Sequence, residues 1–450
     1  MQKLFLSLLV LFLILQCCCC YKKKAFVYQM NKKMNERISN YFLNSDEWEL
    51  LDNSDREKIN MKYADLIWKA KLKEYVLQPH QWWNHSPHQW SLNNKGRLVS
   101  LLRKYSDKIN NLIEYTEILP ESYRVYLSRS YFSDEEKQLF SEKNRGKTWI
   151  VKPMGGRRGE GIYIVDDLDK FYEEVDNKKS NLYSQRHQSN QSDEDDEKKE
   201  ATQLIVQRYI DNPFLINGKK FDIRCYLYVS SYEPFVSFYY PGYLRKSIYD
   251  YDKENYTNML SHLVNVSLQK QDPNYQNEAK DSLWMMEQFK EYVLQQKNYT
   301  EEDYQNFEKN LLKVLTFISE AFVNYQENDP SRENQKRYQV FGADIAVDEN
   351  LNPYILEVNI DPQLDNPHEQ VTDLQLKMLE ACQSFQGKVL DNQENLREFY
   401  QQIDPEYLKN QDSLQKNLIL LYNSVTGYSY NYSILQERLQ KILQQKIEEL

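Results

Sequence analysis

Val340-Phe341-Gly342-Ala343-Asp344-Ile345-Ala346-Val347, turn material from Asp348 to Pro353, and Tyr354-Ile355-Leu356-Glu357-Val358-Asn359-Ile360 read together as a β-hairpin. If Val347 faces Tyr354 across the turn, Asp344 falls opposite Glu357, and Asn359 lies two residues further on, on the same face as Glu357. Two carboxylates facing each other in an otherwise apolar hairpin repel unless a cation or a shared proton lies between them. Asp344, Glu357 and Asn359 are therefore a candidate set of hard oxygen ligands, of the kind Mg²⁺ takes together with substrate phosphates. The plainer alternative is a protonated or salt-bridged pair.

Upstream, Gly218-Lys219-Lys220-Phe221-Asp222-Ile223-Arg224-Cys225-Tyr226 has the alternation of a strand. Lys220, Asp222 and Arg224 share one face, while Phe221, Ile223 and Cys225 form the other. Three ionisable groups backed by a buried apolar face are unlike an ordinary solvated edge; they form either a site or a salt-bridge ladder.

The chain has only 11 glycines, yet Gly155, Gly156, Gly159 and Gly161 fall between the strand-like Thr148-Trp149-Ile150-Val151-Lys152 and Ile162-Tyr163-Ile164-Val165. A loop without Cβ atoms can bring backbone N–H groups against phosphates, with Lys152, Arg157 and Arg158 supplying charge. A flexible hairpin turn is the other reading. Neither a P-loop nor a dinucleotide fingerprint is present, because a strand follows the loop and no helix-opening Gly-Lys-Ser/Thr occurs.

The remainder of the sequence bounds the class. At 450 residues and 41% hydrophobic content the chain can bury a large core, and its length suggests two or three domains. The 57 basic against 67 acidic residues leave a net charge of −10, which offers no general attraction to a nucleic-acid polymer; an acidic partner must meet a local basic patch. Four of the six cysteines are consecutive, Cys17 to Cys20, so neither a disulfide framework nor a zinc pattern is present. Lys3 and the apolar run Leu4 to Leu15 have the layout of a secretory signal or short anchor over residues 1–20, the only part expected to touch a membrane. The expected organisation is a small N-terminal α/β domain over 25–80, a block over 81–210 and a second over 211–385, with a helical tail over 386–450. Within the first block a polar, acidic insert over 177–202, holding Ser192 to Glu197, cannot bury enough apolar surface to order itself.

Taken in order, these segments resemble the tubulin tyrosine ligase-like family from about Ala64 to Asp365. The resemblance is carried by Asn84-His85-Ser86-Pro87, Trp149 to Pro153 with Arg158 to Ile162, Val206 to Ile210, Lys220 to Arg224, Arg245, His262-Leu263-Val264-Asn265, and the two strands that hold Asp344 and Glu357. It implies an α+β ATP-grasp fold in which nucleotide lies between two subdomains. Lys152 and Lys220 would hold phosphates, Arg158-Gly159 would belong to a lid loop, and Gln207, Arg208, Tyr209 and Ile210 would line the adenine pocket, their backbone reading the base. Asp222 and Asn265 would contact nucleotide, Arg224 and Arg245 would face the γ-phosphate or the acylated intermediate together with Lys220, and Asp344, Glu357 and Asn359 would bind Mg²⁺, with two ions expected.

The activity the resemblance implies is ATP-dependent ligation of a free amino acid to a carboxylate of tubulin or microtubules, in the cytoplasm, the cytoskeleton or a cilium, a setting at odds with a secretory signal. The run Phe238 to Arg245 and the later Trp284-Met285-Met286-Glu287 look most like the polyglycylase branch, so glycine is the expected amino acid and glutamate the alternative. A nucleotide-binding scaffold without ligase activity is the reading from another class. The chain departs from the family pattern at Val264, where a Thr is usual, and at Ser86, where a Phe is usual, and Leu92 to Gly96 only loosely echoes the stretch that follows; docking of the protein substrate is therefore expected to differ.

Overall fold

The computed structural model describes residues 22–28, 32–52, 60–69, 75–156, 159–188, 203–275, 281–326, 336–364, 366, 368–411 and 415–448. The hydrophobic run Leu4 to Leu15 and Arg158 lie outside them. Among the described residues no helix is long and apolar enough to cross a membrane.

A first, parallel sheet has the order β2-β1-β3-β4, formed by β1 (Lys23–Tyr28), β2 (Trp48–Leu51), β3 (Leu66–Lys69) and β4 (Trp82–Trp83). Helix α1 (Lys32–Leu43) links β1 to β2 and buries Met34, Ile38 and Phe42, one residue per turn on a single face. Helix α2 (Lys95–Lys108) follows, its first turn capped by the Asn94 side chain, which accepts from Arg97 N–H.

A second, antiparallel sheet, β5-β8-β6-β7, is made by β5 (Ser122–Tyr126), β6 (Trp149–Pro153), β7 (Tyr163–Val165) and β8 (Gln203–Arg208). The glycine-rich loop joins β6 to β7, with Gly159 and Gly161 at φ +85° and +67°. Helix α3 (Leu168–Gln188) covers part of the stretch expected to be unstructured. The reason lies in a stripe of Leu168, Phe171, Val175 and Lys179, all buried, with the Lys179 ammonium 2.7 Å from Glu136 Oε1. The acidic run Ser192 to Glu197 lies outside the described residues.

The third sheet has the order β13-β12-β9-β10-β14-β15, with β11 also on β10. Its strands are β9 (Phe221–Tyr232), β10 (Phe235–Lys246), β11 (Leu283–Met285), β12 (Gln339–Val347), β13 (Pro353–Asn359), β14 (Ile419–Asn423) and β15 (Tyr428–Ser429). Ile223, Cys225, Leu227 and Val229 of β9 point into a core completed by the long helix α4 (Glu301–Gln326) and by α2. Glu301, Glu302 and Asp303 in the first turn of α4 complement its dipole, and Asp303 bonds back to the Thr300 N–H at 2.7 Å. On the other face of β9, Tyr226 and Tyr228 pack into a second core with helix α5 (Glu369–Asp391) and the first sheet. The end of that face nearest Lys220 carries charge instead.

The C-terminal part is helical, as expected, with α6 (Leu396–Gln401), α7 (Pro405–Lys409) and α8 (Tyr432–Glu448), but it also supplies β14 to the edge of β10. Arg438 ties α8 to the body through Glu117, at 2.6 and 2.8 Å. Of the apolar residues of α8, Ile434 and Leu435 pack on the core while Leu439, Ile442 and Leu443 are exposed.

Gly242 sits in an irregularity of β10 where the backbone touches Arg224. A Cβ there would lie 1.7 Å from the Arg224 carbonyl oxygen, whereas one at Gly96 would crowd the end of the flexible Met154 side chain and make ordinary contact with Arg124. Gly242→Ala is expected to cost about 3 kcal/mol or more in urea unfolding, and Gly96→Ala well under half of that.

Candidate functional site

The hairpin of β12 and β13 sets the geometry. Asp344 is paired with Glu357 as the sequence predicts, but Val347 faces Pro353 and not Tyr354. A bulge between Asp344 and Ile345 absorbs the difference, placing one extra residue, Leu356, in β13. The same row continues across β9 and β10, so that Glu357, Asp344, Arg224 and Tyr243 lie side by side; Asp222 faces Arg245 two residues away along β9.

Four of these side chains form a closed ionic group. Arg224 donates from Nε and Nη2 to the two oxygens of Asp344 at 2.5 and 3.0 Å, and Arg245 donates likewise to Asp222 at 2.7 and 2.6 Å. Arg245 Nη2 also lies 3.0 Å from Asp344 Oδ2, joining the two pairs. Asp222, Arg224 and Asp344 are buried. Burial alone would push the Asp344 carboxyl up, and the two guanidiniums overcome it and hold the group well below the usual carboxylate range. Asp222 is pushed up, first by burial and then by the nearby Asp344 charge, against the pull of Arg245. The salt-bridge ladder considered from sequence is thus present in Asp222 and Arg224, but Lys220 stands outside it. Gly342 makes room for the group, since a Cβ there would come within 3.2 Å of Arg224 Cδ.

Beside this neutral quartet opens a cavity that receives Lys152 and Gln207 from the second sheet, Asp222, Asp344 and Glu357 from the third, and Lys220 from the position just before β9. Lys152 is buried and Lys220 half-buried, and among the described residues neither has a carboxylate in hydrogen-bond contact. Lys152 Nζ donates to Gln207 Oε1 at 2.7 Å, and Lys220 Nζ to the Tyr209 hydroxyl at 2.8 Å. Burial and the neighbouring Lys95 lower Lys152 to about 8; burial and Lys152 lower Lys220 to about 7. Two depressed ammonium groups in one cavity suit a polyanion, which would restore both to full charge.

The expected residues assemble as follows. Lys152, Gln207, Arg208, Tyr209, Ile210, Lys220, Asp222, Asn265, Asp344 and Glu357 line the cavity. Gly159 is at its rim, a Cβ there lying 3.7 Å from Leu263 and Leu268. Arg224 and Arg245 stand behind the wall, with Nε and Nη2 spent on the aspartates. The base-reading role expected of the Gln207 to Ile210 backbone meets a constraint, because the N–H groups of Arg208 and Tyr209 already donate to Glu121 O and Thr148 O. The Arg208 guanidinium turns away, to Thr148 O and Asp211.

The donor chemistry fits a hard divalent cation. Gly342 O, Asp344 Oδ2 and Glu357 Oε1 all converge on Asn359 Nδ2 at 3.4 to 3.5 Å, and turning that amide end for end would add its oxygen to the set. Among the described residues no three His, Cys, Asp or Glu side chains form a complete cage, so substrate oxygens would have to complete the shell.

Sequence reasoning missed two participants and one role. Lys95 reaches the cavity from α2, far from the other basic residues in sequence. His262, quoted above only within a motif, accepts from or donates to the Tyr209 hydroxyl through Nδ1 at 2.8 Å. Tyr209 itself was expected to act through its backbone, and its hydroxyl touches Lys220. Spacing could not signal these contacts, which bridge separate loops.

Comparison with known proteins follows the same lines. A family profile described as "Tubulin-tyrosine ligase family" matches residues 70–395. Among individual relatives, the "Probable tubulin polyglutamylase TTLL9" of Mus musculus is 25% identical over 349 residues, 72% of this chain and 72% of its own. The "Tubulin monoglutamylase TTLL4" of Mus musculus is 26% identical over 71% of this chain and 25% of its own length. The "Probable alpha-tubulin polyglutamylase Ttll1" of Tetrahymena thermophila is 25% identical over 62% of this chain and 66% of its own.

If the quartet is the keystone of the third sheet, Arg224→Met, which strands Asp344 with a single partial partner, should lower unfolding free energy by about 3–5 kcal/mol in chemical denaturation. The double change Arg224→Met, Asp344→Leu should recover a large part of that loss.

Proposed function

The chain belongs to the tubulin-tyrosine ligase family, and from that premise we propose that it is an ATP-dependent ligase joining glutamate to a carboxylate on tubulin. Family membership implies use of ATP with Mg²⁺, and an ATP-grasp fold accounts for a cavity that lies between two sheets. The observation that carries the nucleotide reading is the pair of depressed lysines, Lys152 and Lys220, which bond to neutral oxygens and face Asp344 and Glu357 across one cavity.

In this reading the substrate carboxylate attacks the γ-phosphorus of ATP, the bond to ADP breaks, and an acyl phosphate forms. The neutral amine of the incoming amino acid then attacks the acyl carbon, phosphate leaves, and the amine loses a proton. No side-chain nucleophile is needed, so the chain contributes position and charge. Lys152 and Lys220 bind phosphate oxygens, the Ile210 end of its segment reads the base, and Asn265 and Asp222 border the nucleotide. Arg224 and Arg245 act from one layer behind, fixing Asp344 and Asp222 in rotamer and ionisation state. Asp344, Glu357 and Asn359 would hold Mg²⁺, which when bound supplies neutralising charge to the phosphates.

Glutamate replaces the glycine expected from sequence. The relatives reported above carry glutamylase names, and the aromatic run behind the glycine expectation is explained by packing: Phe238 and Tyr240 of β10 fill the core under α5, and Tyr239 fills the opposite core. A tubulin substrate would place the enzyme with the cytoskeleton.

The test is incorporation of radiolabelled glutamate or glycine into microtubules by the purified protein with Mg-ATP. Glutamate transfer is expected and glycine transfer is not. Glycine transfer would keep the chemistry and overturn the specificity; transfer of neither, by folded protein that binds ATP, would overturn the substrate. Glu357→Gln should lower incorporation by about 10²-fold or more with its unfolding midpoint unchanged.

A further inference from the structure

We infer that His262 is a positioning residue that holds Lys220 on the phosphates through the Tyr209 hydroxyl, a three-member relay with a fixed hydrogen-bond direction. The inference rests on the nucleotide reading of the cavity.

The direction follows from donor counting. His262 Nε2 lies 3.0 Å from the Asn255 carbonyl oxygen, which can only accept, so Nε2 carries the proton. In the neutral ring Nδ1 is then an acceptor, and the Tyr209 hydroxyl 2.8 Å away must donate to it. With its proton directed to His262, the Tyr209 oxygen presents its lone pairs to Lys220 Nζ at 2.8 Å. The Tyr251 hydroxyl, also in hydrogen-bond reach of Tyr209, spends its own proton on Asp211 O at 2.8 Å and so cannot donate to the Tyr209 oxygen. Each bond fixes the next. The ammonium gains one oriented acceptor in a cavity where, among the described residues, no carboxylate is in hydrogen-bond contact with it, leaving its other N–H groups for a phosphate.

The neighbours of His262 keep it neutral. It packs against the rings of Tyr209, Tyr251 and Tyr256, within the electrostatic reach of Lys220 and Asp252. Burial lowers its pKa, as does the Lys220 charge, against the backbone carbonyl of Asn255 and the Asp252 charge. A protonated His262 would donate from Nδ1, force the Tyr209 proton off its acceptor and place a second cation beside Lys220.

A structural role for His262 would lower ATP affinity equally at every pH. The relay makes a different prediction, because it acts on the protonated form of Lys220, whose pKa is about 7 in the free protein. The charges facing Lys220 are those of Lys152, which lowers its pKa, and of Asp211 and Asp222, which raise it. Affinity falls as pH rises through about 7, where Lys220 loses its proton, and again through about 8, where Lys152 does, and removing the oriented acceptor moves the lower of these two alkaline limbs to lower pH.

The experiment is calorimetric titration of Mg-ATP into the full chain from pH 6 to pH 9, for the wild type and for Tyr209→Phe, His262→Leu and His262→Asn. Tyr209→Phe should move the lower alkaline limb down by about one pH unit, the size of one hydrogen bond to a charged group. His262→Leu should move it in the same direction, and His262→Asn, whose Oδ1 occupies nearly the place of Nδ1, should return it towards the wild-type position. A limb that stays in place in Tyr209→Phe and His262→Leu, or that moves equally in His262→Asn and His262→Leu, overturns the relay. Failure of the wild type to bind Mg-ATP overturns the nucleotide reading beneath it, a result distinct from either.

Discussion

The site depends on the ionic quartet of Asp222, Arg224, Arg245 and Asp344. Two aspartates and two arginines on three adjacent strands cancel one another in a place where any one of them, left alone, would be strongly unfavourable. The cancellation explains why β9, β10 and β12 keep their register, and why glycines stand at 242 and 342, where the Arg224 backbone and side chain need space. It also sets the charge of the cavity. Because the arginines are already matched, the positive charge that faces the open volume comes from Lys152 and Lys220, with Lys95 beside them.

That division of labour separates fold from function in physical terms. The arginine–aspartate pairs have good geometry and belong to the folded chain whether or not a ligand is present. The lysines are the reverse: desolvated, set beside other cations and bonded to neutral oxygens, they carry an electrostatic cost in the free protein that a polyphosphate would remove. Groups held in an unfavourable charge state within a cleft are where binding energy is concentrated.

Much of this was legible in the sequence because strands impose a period of two. Alternation alone put Lys220, Asp222 and Arg224 on one face and Ile223 and Cys225 in the core, and the length of the turn placed Asp344 opposite Glu357. The turn pairing was nevertheless shifted by one at Val347, and the bulge that restores the register at Asp344 leaves no mark in the composition of Ile355-Leu356-Glu357. Arg245 came from family resemblance, and its partner Asp222 could not be deduced without the β9–β10 pairing. The helical reach of α3 was hidden by its polar surface, because the buried stripe ends in a lysine whose partner, Glu136, is 43 residues away. The Lys220, Tyr209 and His262 relay was hidden for the same reason: each contact joins residues that only the tertiary fold brings together.

The account stands most directly on the claim that Lys152 and Lys220 are depressed in the free protein and recharged by a bound polyphosphate. Calorimetric titration of Mg-ATP at pH 8 in two buffers of different ionisation enthalpy measures the protons exchanged on binding. With lysines at about 8 and about 7, binding should take up on the order of one proton per site. Binding with no proton exchange, or with release, would contradict the account, because the two lysines would then be fully charged before the ligand arrives or would not meet it at all.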